Sequence, residues 1–345
     1  MTHPLLHISN LKTWYPVRQG VLARTIGHVR AVDGVSLDVF PGETVGLVGE
    51  SGCGKSTLVR TVMGLETPTS GAIRLDGIPL WPAHHRDALP LRRRLQMIFQ
   101  DPYASLNPRM TILDIVTEGL LEHGLIRSGE QQASAVSLLA EVGMESSALH
   151  RYPHEFSGGQ RQRISIARAM ALRPDLVICD EAVSALDVSV RAQVLNLLMD
   201  LRTSHKLAYL FIAHDLGVIR HIAHRVAVMY LGTLVETGPA AAVLDRPAHP
   251  YTQALISAIP MPYRDRQQRI VLAGDVPSAA HPPSGCRFRT RCPHAIEQCA
   301  LASPPLDPFG IPTDRRTVAC FRANELQPTS TEPRTGCLYT HPPAL

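Results

Sequence analysis

The sequence predicts an α/β fold built around a phosphate-binding loop, and three observations carry that reading. The stretch Gly49-Glu50-Ser51-Gly52-Cys53-Gly54-Lys55-Ser56-Thr57 fits G-x-x-x-x-G-K-[ST], with the apolar run Val45–Val48 before it and apolar residues at helical spacing from Leu58 to Leu65 after it. The run Leu176–Cys179 reads as a buried strand that delivers two acids, Asp180 and Glu181, to its carboxyl end. A third apolar run, Leu207–Ala213, ends at His214-Asp215. In open α/β sheets the carboxyl ends of the strands are where ligands bind.

The residue types in the loop have physical reasons. Glycines let the backbone wrap closely around phosphates, in conformations closed to residues with a Cβ. Free N–H groups at the helix start, with the helix dipole, favour negative charge. Lys55 is expected to reach the terminal phosphates and the Ser56 hydroxyl to ligate Mg²⁺. At the second strand end, Asp180 is suited to hold Mg²⁺ and Glu181 to orient or deprotonate a water. His214 is placed to contact a γ-phosphate.

Taken in order, the chain begins with short strand-like pieces, such as Leu5–Ile8 and Val35–Val39, and a turn at Pro41-Gly42-Glu43. Tyr15 is an aromatic suited to stack on a base, although a lone aromatic is more often packing. Residues 70–100 read as β-rich: Gly71–Leu75, a turn at Asp76-Gly77, then Leu95–Phe99, with Gln100 after it. Arg92-Arg93-Arg94 reads as a solvated face beside a strand. Asp101–Pro108 is a turn-prone loop and residues 110–150 are helical. Ser157 and Gln160 have capping-box spacing at the start of a helix running to Leu172. The bland reading is a capped helix; the sharper one is a second anion site, because Gly158 and Gly159 leave N–H groups accessible.

Composition bounds the alternatives. The 345 residues are 45% hydrophobic and 19% charged, with a net charge of +4, which describes an ordinary globular protein. Lysine occurs only at Lys12, Lys55 and Lys206, and no basic stripe interleaved with aromatics suggests nucleic acid. The N-terminus lacks the pattern of a signal peptide, and no apolar run approaches the ~20 residues of a membrane-spanning helix. The chain is expected to stay on the cytoplasmic side, where ATP is.

These pieces, in this order, resemble the nucleotide-binding subunit of an ATP-binding-cassette (ABC) transporter. Gly49–Thr57 matches the Walker A motif, Gln100 the Q-loop, and Phe156-Ser157-Gly158-Gly159-Gln160 the family signature. Leu176–Glu181 matches Walker B, Ser184–Asp187 the D-loop, and His214 the switch histidine, while Tyr15 takes the place of the adenine-stacking aromatic. The resemblance implies a P-loop nucleoside triphosphatase with a RecA-like core, an antiparallel β subdomain and a helical subdomain over about 101–170. The cassette would span 1–247 and an extension 248–345. In that family two cassettes close head to tail around two ATP molecules, so Ser157–Gln160 would serve the partner's nucleotide. Gln100 would join Ser56 and Asp180 at Mg²⁺, and Gln100–Arg109 would meet the membrane subunits. One departure is Ala182, where the family usually has proline; it bears on loop rigidity and rate.

The segments His249–Leu255, Leu272–Ser278 and Gly285–Cys292 resemble the C-terminal extension of dipeptide and oligopeptide importer ATPases, most closely the second ATPase subunit of a dipeptide permease. The implied partners are a second ATPase subunit, two transmembrane permease subunits and, indirectly, an extracytoplasmic peptide-binding protein. The implied location is peripheral, on the cytoplasmic face of the inner membrane. The alternatives are an ATPase of a nickel or other solute importer, or a soluble ABC ATPase without a transport role.

The Pro-rich extension shows little apolar periodicity, so a metal centre is expected to hold it together. Cys286, Cys292, Cys299 and Cys320 are the candidate ligands. Their spacing leaves zinc, an iron–sulfur cluster and free thiols open. The resemblance favours a [4Fe–4S] cluster, which some peptide-importer ATPases carry. Cys53 and Cys179 read as buried packing residues, and Cys337 as a free thiol.

Overall fold

The computed structural model describes residues 3–20, 23–81, 85–258, 270–310 and 314–326. The chain runs through β1 (Leu6–Gln19), β2 (Arg24–Val39), β3 (Thr44–Val48), α1 (Lys55–Val62), β4 (Ser70–Leu75), β5 (Ile78–Pro79), α2 (His85–Arg94) and β6 (Leu95–Ile98). The helices α3 (Pro102–Ser105), α4 (Ile112–Glu122), α5 (Gln131–Glu141) and α6 (Gly158–Ala171) follow. Next come β7 (Leu176–Asp180), α7 (Val188–His205), β8 (Ala208–Ile212), α8 (Leu216–Ile222), β9 (Arg225–Tyr230), β10 (Thr233–Pro239) and α9 (Ala240–Asp245). The last elements are α10 (Pro250–Ser257), α11 (Gln298–Leu301), β11 (Asp307–Pro308) and β12 (Thr317–Val318).

Two sheets organise these elements. One is antiparallel, in the order β2-β1-β4-β5; the other has the order β11-β12-β10-β9-β3-β8-β7-β6. In the second sheet β6, β7, β8, β3 and β9 are mutually parallel. Every residue of β3 and of β8 is buried, as expected for strands covered on both faces. One face, with Leu47, Ile178 and Leu210, packs with α1 against the antiparallel sheet residues Leu6, Ile8 and Leu75. The other, with Val177, Tyr209 and Phe211, packs against helical residues such as Ile115, Ile164 and Leu198.

Local chemistry sets the helix starts. Thr111 and Asp114 form a reciprocal capping box at α4, and Ser157 and Gln160 form another at α6. Helix α7 ends at Lys206, which takes the left-handed conformation with φ 55°.

The structure departs from the sequence reading at β1 and β2, at α2, and at α3, a short helix inside the stretch read as a loop. β1 and β2 are much longer than the pieces expected, because bulges near Ile8–Thr13 and Val17 shift the register and break the alternation that marks a strand. Residues 85–94 form helix α2 within a region read as β-rich; its internal Pro90 obscured the helical pattern. Arg92 and Arg93 are exposed at its end, but Arg94 is anchored to Asp175 and Asp76.

The extension adds to the main sheet rather than standing apart. β12 pairs antiparallel with β10, and β11 with β12. Phe288 is buried between Tyr230 and Tyr251, with ring centroids at 5.2 and 5.5 Å. Arg316 pairs with the fully buried Glu236 at 2.6 Å.

Candidate functional site

The loop Gly49–Thr57 leaves the carboxyl end of β3 and enters α1. Gly49, Gly52 and Gly54 have φ of 155°, 77° and 107°. A Cβ at Gly54 would lie 2.0 Å from the Ala31 carbonyl oxygen, and one at Gly49 would lie 2.2 Å from that of Met229. No other residue type fits either position. Gly54 caps α1 without a side-chain cap hydrogen bond. Lys55 is buried and its Nζ donates to the carbonyls of Gly49 at 2.8 Å and Glu50 at 3.0 Å, with Cys53 Sγ at 3.7 Å. Ser51, Gly52 and Ser56 are exposed and Thr57 is half-buried.

Asp180 ends β7 and Glu181 follows it with φ 48°. Burial, and then the neighbouring Glu181 charge, push the Asp180 carboxyl above the usual range, against Arg60 and Lys55. Gln100, two residues past β6, donates to Glu181 Oε2 at 2.8 Å. His214 Nδ1, two residues past β8, stands 3.6 Å from the same oxygen. The Glu181 carbonyl accepts from Ser184 Oγ at 2.9 Å, which braces the turn leading to Asp187. Gln100, Asp180, Glu181, His214 and the loop thus sit at the carboxyl ends of β6, β7, β8 and β3, which are consecutive in the sheet.

The remaining candidates lie apart from that group. Tyr15 is half-buried on β1, opposite Val29 on β2. Ser157–Gln160 opens α6, with Ser157 N donating to Gln160 Oε1 at 3.0 Å and Gln160 N to Ser157 Oγ at 3.4 Å. Among the described residues, Ser157–Gln160 makes no side-chain hydrogen bond to the phosphate loop. Gly159 packs so closely on α7 that a Cβ would lie 2.4 Å from Val190 Cγ1. Asp187 precedes α7 without a side-chain cap. Cys53 and Cys179 are buried; burial pushes both thiols up, Cys53 despite Lys55.

The metal centre expected in the extension is corrected by the structure. Among the described residues, no group of three or more His, Cys, Asp or Glu side chains is arranged to hold a metal ion. Cys286, Cys292, Cys299 and Cys320 are free thiols lining one hollow beside Phe288 and His249. Burial pushes Cys286 up to about 11 and raises Cys292 and Cys320. Phe288, β12 and the Arg316–Glu236 pair join the extension to the core. Cys337 lies outside the described residues.

Sequence reasoning missed several supporting residues. Arg60 acts electrostatically on Asp180 from α1. Arg191 joins α7 to Asp215 at 3.1 Å, behind His214. The Glu50 N–H donates to the Tyr251 hydroxyl at 2.8 Å. None of these has a local signal, since each partner is distant in sequence.

Comparison with known proteins places these features in context. Residues 32–184 match the family model described as ABC transporter, and residues 235–299 match that for the oligopeptide/dipeptide transporter C-terminal region. A probable peptide ABC transporter ATP-binding protein of Sinorhizobium fredii, y4tS, is 50% identical over 93% of this chain and 90% of its own length. The oligopeptide transport ATP-binding protein AppF of Bacillus subtilis is 49% identical over 86% of this chain and 91% of its own length. Among solved structures, the dimeric post-hydrolysis state of the ATP-binding cassette MJ0796, bound to ADP and Pi, superposes with a TM-score of 0.60 at 26% identity. That match covers 68% of this chain and 98% of the other.

Proposed function

The chain belongs to the ABC transporter family as an ATP-binding subunit of the oligopeptide/dipeptide type, and from that premise we propose how its residues power peptide import. It is an ATPase of a peptide importer. One observation carries the assignment of roles: the phosphate loop, Asp180-Glu181, Gln100 and His214 all stand at the carboxyl ends of consecutive sheet strands.

In this reading the N–H groups of Gly49–Thr57 hold the ATP phosphates, with Ser51, Gly52, Cys53 and Gly54 lining the loop and Thr57 at its end. Lys55 turns from the carbonyls of Gly49 and Glu50 to the phosphates once nucleotide arrives. Tyr15 stacks on the adenine. ATPases of this family use Mg²⁺, and Ser56, Gln100 and Asp180 fit it. They offer oxygen donors, and Asp180 and Glu181 set two carboxylates side by side at the end of β7. Held there, Mg²⁺ would supply positive charge against the phosphates. Glu181 accepts a proton from the attacking water, and Gln100 and His214 position the carboxylate and the γ-phosphate.

The signature residues Ser157, Gly158, Gly159 and Gln160 complete the site of a second cassette across a head-to-tail dimer, with Asp187 at the junction. The dimeric state of the MJ0796 cassette supports this reading. The exposed Tyr103 and Phe99 beside Gln100 suit a contact with permease subunits, in line with residues 101–170 acting as the helical subdomain. Residues 1–247 then form the cassette and 248–345 the extension, and the chain works at the cytoplasmic membrane face. No helix among the described residues is long and apolar enough to cross a membrane. An extracytoplasmic binding protein delivers the peptide.

Affinity purification of the full chain from detergent-solubilised membranes tests the assembly. A second ATPase and two permease subunits are expected to co-purify, with ATPase activity stimulated by peptide-loaded binding protein. A monodisperse chain with no membrane partner contradicts it.

A further inference from the structure

The extension grips the phosphate loop at Glu50. Its N–H donates to the Tyr251 hydroxyl at 2.8 Å, and its carbonyl accepts from Lys55 Nζ at 3.0 Å. Its carboxylate accepts from both terminal nitrogens of Arg291, at 2.8 and 3.3 Å. Two of the three polar groups of this loop residue are therefore held by side chains from beyond the cassette. We infer that Arg291 and Tyr251 are positioning residues for the nucleotide site: they fix the Glu50 peptide and cancel a carboxylate charge that otherwise opposes the phosphates.

The inference rests on the reading that Gly49–Thr57 binds ATP, and three features support it. The Arg291 side chain is only 9% exposed and that of Glu50 29%. A bidentate, largely desolvated pair is stronger and more directional than a surface ion pair. Its anchor is also rigid. Tyr251 is fully buried, its ring 4.7 Å from that of Tyr230, and Phe288 packs on both. Finally, the same short segment holds the loop from another side. Arg287 bonds Asp33 and the Leu231 carbonyl, while the next residue, Gly232, donates its N–H to the Cys53 carbonyl at 2.8 Å. Asp33 in turn accepts from Trp14 Nε1 at 3.2 Å, beside Tyr15.

Charge and position predict different outcomes, which makes the inference testable. Glu50 without Arg291 leaves a carboxylate facing the nucleotide polyanion, a repulsion that neutralising Glu50 relieves. A purely structural role for Arg291 gives no such relief.

The test titrates the full-length chain with trinitrophenyl-ATP and Mg²⁺, and measures KM and kcat for MgATP in the purified transporter. Arg291→Met is expected to weaken binding and raise KM about tenfold, with kcat changed by less than about threefold. Adding Glu50→Gln is expected to return affinity to within about threefold of wild type. Arg291→Lys should fall between, because lysine keeps the charge and loses the fork. Lys55→Ala is the control. If it loses binding while Arg291→Met keeps wild-type affinity, or if Glu50→Gln gives no rescue, the inference fails and the loop reading stands. If Lys55→Ala keeps wild-type affinity, both fail. Should Arg291→Met not fold, Arg291→Lys and Tyr251→Phe carry the same titration, and wild-type affinity in both overturns the inference.

Discussion

Gln100 and Glu181 are joined by a hydrogen bond of 2.8 Å that spans the ends of β6 and β7. The glutamine that follows one strand thus holds the carboxylate that follows the next, with His214 at 3.6 Å from the same oxygen. A carboxylate oriented in this way is suited to take a proton from water. Glu181→Gln is expected to bind nucleotide with near-normal affinity and to hydrolyse it at least about a hundredfold more slowly, a loss typical of a removed general base. Phosphate release and fluorescent-nucleotide titration, run side by side, separate the two.

Asp180 carries the next prediction. Its carboxyl is raised by burial and by Glu181, so the fold favours the protonated form. The sign follows: stability is greatest below the ordinary carboxylate pKa and falls as pH rises through it toward the raised folded value. Above the raised folded value the nucleotide-free protein carries the full penalty. Asp180→Asn is expected to melt at a higher temperature than wild type at pH 7 while losing Mg²⁺-dependent hydrolysis. A lower melting temperature contradicts this.

His249 works in the opposite pH direction. It is buried, its Nδ1 accepts from Tyr251 N at 3.0 Å, and burial lowers its pKa from 6.5 to about 3. Because the folded value is depressed, its contribution is intact above pH 6.5 and is lost as pH falls toward about 3. Unfolding free energy is expected to drop by about 1.4 kcal/mol per pH unit across that window from this residue alone. His249→Gln should flatten that part of the pH profile in denaturant titrations.

The Arg316–Glu236 pair tests how the extension is held. Glu236 is fully buried and also accepts from the N–H groups of Ala248 at 3.1 Å and His249 at 3.0 Å. Arg316→Met strands that carboxylate and is expected to cost about 3–5 kcal/mol. Calorimetry reads the loss, and limited proteolysis should show cleavage in residues 270–326 before the cassette.

What the sequence disclosed was local. The strand, glycine loop and helix around Lys55, the acids at the end of β7, and the Ser157–Gln160 capping box each lie within a few residues, so spacing alone reveals them. β1 and β2 were underestimated because bulges interrupt their alternation. α2 was missed because Pro90 sits inside it. The Arg291–Glu50 grip joins residues 241 positions apart, and no periodicity reports such a pair. The four cysteines misled for a physical reason. A segment poor in apolar periodicity looked unable to fold without a metal, whereas Phe288 enters a core already built by Tyr230 and Tyr251.

In the proposed function, hydrolysis at this site drives peptide import. The most direct measurement is uptake of a labelled peptide into proteoliposomes that contain the complete transporter and enclose MgATP, with binding protein outside. Wild-type chain is expected to support ATP-dependent accumulation, and Glu181→Gln, incorporated to the same level, is expected to abolish it. Accumulation by Glu181→Gln at the wild-type rate, or none by wild type above an ATP-free control, contradicts the account.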